Sequence, residues 1–226
     1  MIRVLPLLSA FSKARDIFHE SPEQGRELAL LNSPDCNDFY SEQAAVTAAF
    51  LGAPDPAQVQ LQLEKHFYRG WESYFKKIKP YSHVKQCLEA FKSAGLKLGL
   101  LSDFPVETKI KHLGIDSYWD AVLCSEDVGA LKPDPRPFLK LAEALGTEPS
   151  KILYVGNKVK YDVAGAKRAG MESALISRKK QYRNSSANTD VSGAAVPAEK
   201  PAAMYGAEQP DFVFFDYRKL IDFVLN

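Results

Sequence analysis

Leu96-Lys97-Leu98-Gly99-Leu100-Leu101-Ser102-Asp103 is the stretch on which the fold turns: an apolar strand that ends at a hydroxyl and a carboxylate. Three more landmarks follow in order. Leu131-Lys132-Pro133-Asp134-Pro135 opens a helix. A second apolar strand, Ile152-Leu153-Tyr154-Val155, ends at Gly156-Asn157. Asp162 then lies within Tyr161-Asp162-Val163-Ala164-Gly165-Ala166. In an open parallel sheet the carboxyl ends of neighbouring strands share one crevice, and ligands bind there. A hydroxyl, a cation and oxygen ligands gathered in such a crevice suit a phosphate accompanied by a hard divalent metal.

Outward from this stretch the pattern alternates between helix and strand, which argues for a parallel sheet. Val84, Leu88 and Phe91 mark a helix ended by Gly95. A short helix runs from Val106 to His112, and Asp120-Ala121-Val122-Leu123-Cys124 is a strand. Phe138, Leu141 and Leu145 lie on the helix after Pro135, which stops at Gly146. After the strand 152–155 a helix ends at Gly170, followed by the strand Glu172–Ile176. Residues 178–210 turn to Ser, Asn, Ala, Pro and Lys and read as a mobile loop. Asp211–Phe215 is a last strand, and Leu220, Phe223 and Val224 belong to a closing helix.

The first third reads differently. Pro6 disfavours a central strand over residues 2–8. Leu7, Phe11, Ala14 and Phe18 share a helical face, so a helix begins near Leu5. Ser41 is expected to cap a helix through about Leu51, stopped by Gly52. Asp55 and Pro56 start a longer helix carrying Val59, Leu63, Phe67, Trp71 and Phe75. The aromatic stripe Phe67, Tyr68, Trp71, Tyr74, Phe75 reads as packing between helices, the other reading being a substrate-facing surface. Residues 1–78 therefore form a helical cap and residues 79–226 an α/β core with a doubly wound parallel sheet.

Bulk properties narrow the function. A net charge of +1 over 226 residues supplies no field for nucleic acid or anionic lipid. No run approaches a membrane span, and no small-residue cleavage pattern follows Leu8. Cys36, Cys87 and Cys124 lie far apart without metal-type spacing and fit a reducing, cytoplasmic setting. The four histidines, His19, His66, His83 and His112, read as structural or solvated.

The ordered landmarks resemble the haloacid dehalogenase-like superfamily, which is mostly phosphatases. Its second motif is a strand-end Ser or Thr, matched by Ser102. Its third is a Lys followed by Pro, matched by Lys132. Its fourth, Gly-Asp-x-x-x-x-Asp, is matched by Gly156-Asn157-Lys158-Val159-Lys160-Tyr161-Asp162, with Asn for the first Asp. The resemblance implies Mg²⁺-dependent hydrolysis of a small phosphorylated metabolite through an aspartyl-phosphate. Ser102, Asp103 and Lys132 would hold the phosphoryl group, with Ser102 and Lys132 the catalytic pair. Asn157 and Asp162 would be the metal ligands. Each has a plainer reading: a turn cap for Ser102, a surface charge for Lys132, a helix N-cap for Asp162. Asn157 also hints at haloacid dehalogenases proper, although the five-residue step to Asp162 is the phosphatase spacing.

One motif is missing. The family's first strand ends in Asp-x-Asp, the nucleophile and acid/base, and no Asp-x-Asp after an apolar strand precedes residue 96. Asp35-Cys36-Asn37-Asp38 follows the turn-like Asn32-Ser33-Pro34. That strand would be central, beside the strands ending at Ser102 and Asn157, and its loss would cost on the order of several kcal/mol in packing. The expectation is a chain truncated at an internal Met and inactive as written. A degenerate relative that binds or regulates is the alternative.

Overall fold

The computed structural model describes residues 4–70, 78–177 and 208–226. Four helices come first: α1 (Val4–Glu20), α2 (Pro22–Asn32), α3 (Phe39–Leu51) and α4 (Pro56–Leu63), the last widening into a π-type turn over Glu64–Tyr68. Asp55 caps α4 and Gly52 ends α3 in the left-handed region, as expected. The start of α3 corrects the sequence reading. Asp38, not Ser41, is the N-cap: its carboxylate accepts the Ser41 N–H at 2.7 Å while the Ser41 hydroxyl accepts the Asp38 N–H at 3.2 Å. A serine three residues into a helix can close the reciprocal box from inside it. α2 has no counterpart among the expected elements. Gly25 lowers its helix propensity, yet a Cβ there would lie 2.5 Å from the Phe18 ring, so α1 and α2 pack together only across a glycine.

Helices α1, α3 and α4 bury Leu7, Phe11, Ala44, Ala48, Val59, Leu63 and Phe67 in one cluster. The Phe67 ring meets Phe11 edge-on at 4.6 Å, so this part of the aromatic stripe is packing. Trp71, Tyr74 and Phe75, and residues 178–207 of the loop expected at 178–210, lie outside the described residues.

The remainder alternates as the sequence pattern requires: α5 (Val84–Ser93), β1 (Gly99–Ser102), α6 (Glu107–Leu113), β2 (Ala121–Cys124), α7 (Pro135–Leu145), β3 (Leu153–Gly156), a wide turn at Val159–Val163 running into α8 (Ala164–Arg168), β4 (Glu172–Ile176), β5 (Phe212–Phe214) and α9 (Tyr217–Leu225). All ladders among the described residues are parallel. β1 pairs with β2, Ser102 opposite Cys124, and β3–β4–β5 form a second set. Among the described residues no ladder joins β1 to β3. The two sets are nevertheless one layer. On one face α7 buries Phe138, Leu141 and Leu145 against Leu101 of β1 and Tyr154 of β3. On the other, Cys87 and Phe91 of α5 lie with Leu98 and Leu153. The break therefore falls between the strands ending at Ser102 and Gly156. Val155 of β3 remains 37% exposed, whereas a strand inside a parallel sheet is normally covered on both faces.

Because α7 spans the break, its side chains carry the packing a continuous ladder would share. Phe138 is fully buried, 4.7 Å from the Tyr154 ring. Phe138→Ala is expected to cost about 3–5 kcal/mol in denaturant unfolding, with an unchanged m-value.

Candidate functional site

The carboxyl ends of β1 and β3 face the same rim, and a buried cation lies between them. The Lys132 ammonium donates to Asp162 Oδ1 at 2.7 Å and to the Tyr154 hydroxyl at 3.4 Å. Both charged side chains of the pair are almost wholly buried. Burial opposes the Lys132 charge, but the Tyr154 oxygen and the Asp162 and Asp103 carboxylates outweigh it and hold the ammonium well above the ordinary lysine range. Burial also pushes the Tyr154 hydroxyl up to about 12, so it stays neutral at pH 7.

Asp162 has a second task. Its Oδ2 accepts the backbone N–H groups of Asn157 and Lys158, each at 2.9 Å. It thus ties down the turn leaving β3 rather than capping α8, whose N-cap is Val163. The close approach requires Gly156: a Cβ there would lie 2.2 Å from Asp162 Cβ. Asp103, next after β1, accepts the Lys132 backbone N–H on Oδ1 at 3.2 Å. An ionised carboxylate brings no donor to an anion, so the Asp103 group with the polarity to hold a phosphate oxygen is its backbone N–H. Ser102 Oγ accepts the Phe104 N–H at 3.2 Å, the plain turn-cap geometry, which leaves its O–H free to rotate toward a ligand.

Asp103, Lys132 and Asp162 are thus brought into one hydrogen-bonded chain, with Ser102 adjacent on β1 and Asn157 adjacent after β3. Asn157 is exposed, and its backbone, not its amide, reaches Asp162. This set does not suit magnesium. Asp162 spends both oxygens on Lys132 and on backbone amides, and Asn157 brings no charge to replace them. No group of three or more His, Cys, Asp or Glu placed to hold a metal occurs among the described residues.

Three residues that sequence reasoning left aside border the site. Arg15 of α1 donates to the Asp103 carbonyl at 3.0 Å and to Gln43 Oε1 at 2.9 Å, and it contacts Glu126 Oε1. Glu126, just past β2, is buried and also accepts from Gln43 and from the Tyr68 hydroxyl at 2.9 Å; burial raises its carboxyl against these donors. The His19 Nδ1 meets the Lys132 carbonyl, and its ring stacks on Tyr161 at 4.5 Å. Nothing in a one-dimensional pattern marks Arg15 or Glu126 as buried, since each sits in an ordinary amphipathic context.

A family model described as haloacid dehalogenase-like hydrolase matches residues 28–176. Glyceraldehyde 3-phosphate phosphatase of Methanopyrus kandleri is 32% identical over 156 residues, covering 68% of this chain and 60% of that protein. Phosphoglycolate phosphatase of Aquifex aeolicus is 34% identical over 174 residues, covering 72% of this chain and 77% of that protein. The chain thus spans less than two thirds of the first of these relatives. Among solved structures, 2-haloacid dehalogenase from Pseudomonas syringae pv. Tomato aligns with a TM-score of 0.58 at 22% identity, covering all of this chain and 82% of that one. A HAD phosphatase from Thermococcus onnurineus aligns with a TM-score of 0.53 at 22% identity, covering 88% and 91%. At that identity the structures speak for the fold alone.

Two outcomes follow from the buried charges. Asp162→Asn strands an ammonium and weakens the acceptor for two amides, so unfolding free energy should fall by about 3–5 kcal/mol. Burial, the largest influence on His19, lowers its pKa below the ordinary histidine value of 6.5, although the Lys132 carbonyl works the other way. As pH falls through 6.5 the unfolded chain gains a proton that the native chain resists, so this contribution to stability is lost toward pH 5. His19→Asn should flatten the stability–pH slope between about pH 7 and 5 in thermal melts.

Proposed function

The chain belongs to the haloacid dehalogenase-like hydrolases, and from that premise we propose that it carries the phosphoryl-holding half of a phosphatase-type site. The observation that carries the reading is the buried Lys132 ammonium at the rim shared by β1 and β3, flanked by Ser102 and by the turn at Asn157. An ammonium with one N–H not spent on Asp162 or Tyr154, a rotatable hydroxyl and the backbone N–H groups after β1 suit the oxygens of a small phosphorylated metabolite. Curated relatives named as phosphatases of glyceraldehyde 3-phosphate and phosphoglycolate support that ligand class over a haloacid. The three thiols, free in this structure, support a cytoplasmic setting.

In the chemistry the family resemblance implies, an aspartate attacks phosphorus and water cleaves the resulting aspartyl-phosphate. No Asp-x-Asp occurs in the 226 residues. Asp103 and Asp162 are each committed to hydrogen bonds that build the rim, so neither replaces it. The reading is therefore binding without turnover, with Ser102 and Lys132 holding the anion and Asn157 and Asp162 shaping the turn beside it. The division of the sheet between β1 and β3 supports a place for an additional strand there.

Calorimetric titration tests this. Inorganic phosphate should bind the 226-residue chain, more weakly by about tenfold or more in Lys132→Met, and Mg²⁺ should tighten it little. Small phosphate esters should not be hydrolysed by the chain. A version extended at its N-terminus by an apolar strand ending in Asp-x-Asp should gain Mg²⁺-dependent release. Robust release by the unextended protein would refute the proposal.

A further inference from the structure

One face of α1 touches every loop that carries a candidate site residue. Arg15 donates to the Asp103 carbonyl at 3.0 Å, and its guanidinium lies 3.9 Å over the Phe104 ring, fixing the turn after β1. Ala14 and Phe18 pack on Leu131, which is 1% exposed and immediately precedes Lys132. His19 meets the Lys132 carbonyl and stacks on Tyr161 in the turn after β3, while Glu20 bonds Lys160 of that turn at 2.6 Å. Positions 14, 15, 18 and 19 fall on adjacent turns of one helical stripe. The three loops come from chain segments about 30 residues apart, and their direct cross-links are few, chiefly those made by Asp103 and Asp162.

We infer that α1 is the template that sets the phosphoryl site, with Arg15 and His19 as its positioning residues. This rests on the phosphoryl-holding reading above but concerns the shape of the rim, not its ligand. Arg15 and His19 do not touch the bound group. They fix backbone carbonyls at Asp103 and Lys132, and through them the direction of the Lys132 ammonium and of the N–H groups after Ser102. The buried Arg15 also needs a counter-charge, which Glu126 supplies from the end of β2. Through these contacts a change in how α1 sits would reach all three loops together.

The discriminating variants keep volume and remove donors. His19→Phe retains the stack on Tyr161 and loses the N–H to Lys132, and His19→Asn restores a donor of similar reach. Arg15→Met with Glu126→Met removes both members of a buried pair, an exchange that such pairs often tolerate, and deletes the donor to Asp103. Backbone amide exchange is read at Lys132, Asn157 and Lys158, whose N–H groups bond Asp103 and Asp162, with Ala174 in β4 as reference. Exchange at those three should quicken about tenfold in His19→Phe and in the double variant, with Ala174 unchanged and His19→Asn near the parent. Phosphate affinity should fall in the same variants by a similar factor. Unchanged exchange at Lys132 in both variants overturns the inference, as does equal acceleration at Ala174, which would make the contacts merely structural. Because exchange is read without ligand, an absence of phosphate binding by the parent would defeat the functional reading and leave this test standing.

Discussion

A lysine ammonium held out of water must be matched by negative charge, and much of this molecule follows from meeting that need at Lys132. The desolvation cost of such a group runs to several kcal/mol, and only good geometry offsets it. Asp162 supplies the carboxylate, but it can come close only because Gly156 has no side chain and because two backbone amides hold its other oxygen. Asp103 adds a second carboxylate and pins the Lys132 backbone. The ends of β1 and β3 are thus linked through one cation although no ladder connects the strands. Where the sheet lacks hydrogen bonds, the rim supplies them.

The same constraint acts among the N-terminal helices. A buried Arg15 and a buried Glu126 would each be prohibitive alone; together with Gln43 and Tyr68 they form a satisfied network. It lies between α1, α3 and the end of β2, so the N-terminal helices are anchored by specific polar contacts as well as by apolar area. Apolar packing alone would tolerate sliding between layers; the Arg15 fork to Glu126, Gln43 and Asp103 does not.

The order of strands and helices from Val84 onward was legible because parallel strands are apolar runs and the helices carry clear stripes, as at Phe138, Leu141 and Leu145. Strand boundaries shifted by up to three residues: β1 begins at Gly99 rather than Leu96, and Ser102 itself closes it. α2 is not legible in the pattern because it meets α1 through its own Gly25 against the Phe18 ring, a contact between elements that no periodicity encodes. The start of α3 was misplaced for a related reason: Asp38 and Ser41 are both good caps, and only their mutual hydrogen bonds decide between them.

Motif resemblance and alternating apolar patterns in the chain pointed to the family and the parallel α/β class, and they marked Ser102, Lys132, Asn157 and Asp162 as candidates because each follows a strand or turn. What those residues do to one another came from the folded arrangement. It turned Asp162 into the partner of Lys132 and of two amides, left Asn157 facing solvent, and gave Asp103 to the Lys132 backbone. It also brought Arg15 and His19 to loops roughly 90 to 110 residues away. Burial and long-range pairing depend on which surfaces meet, and a linear pattern records only which surfaces each element could offer.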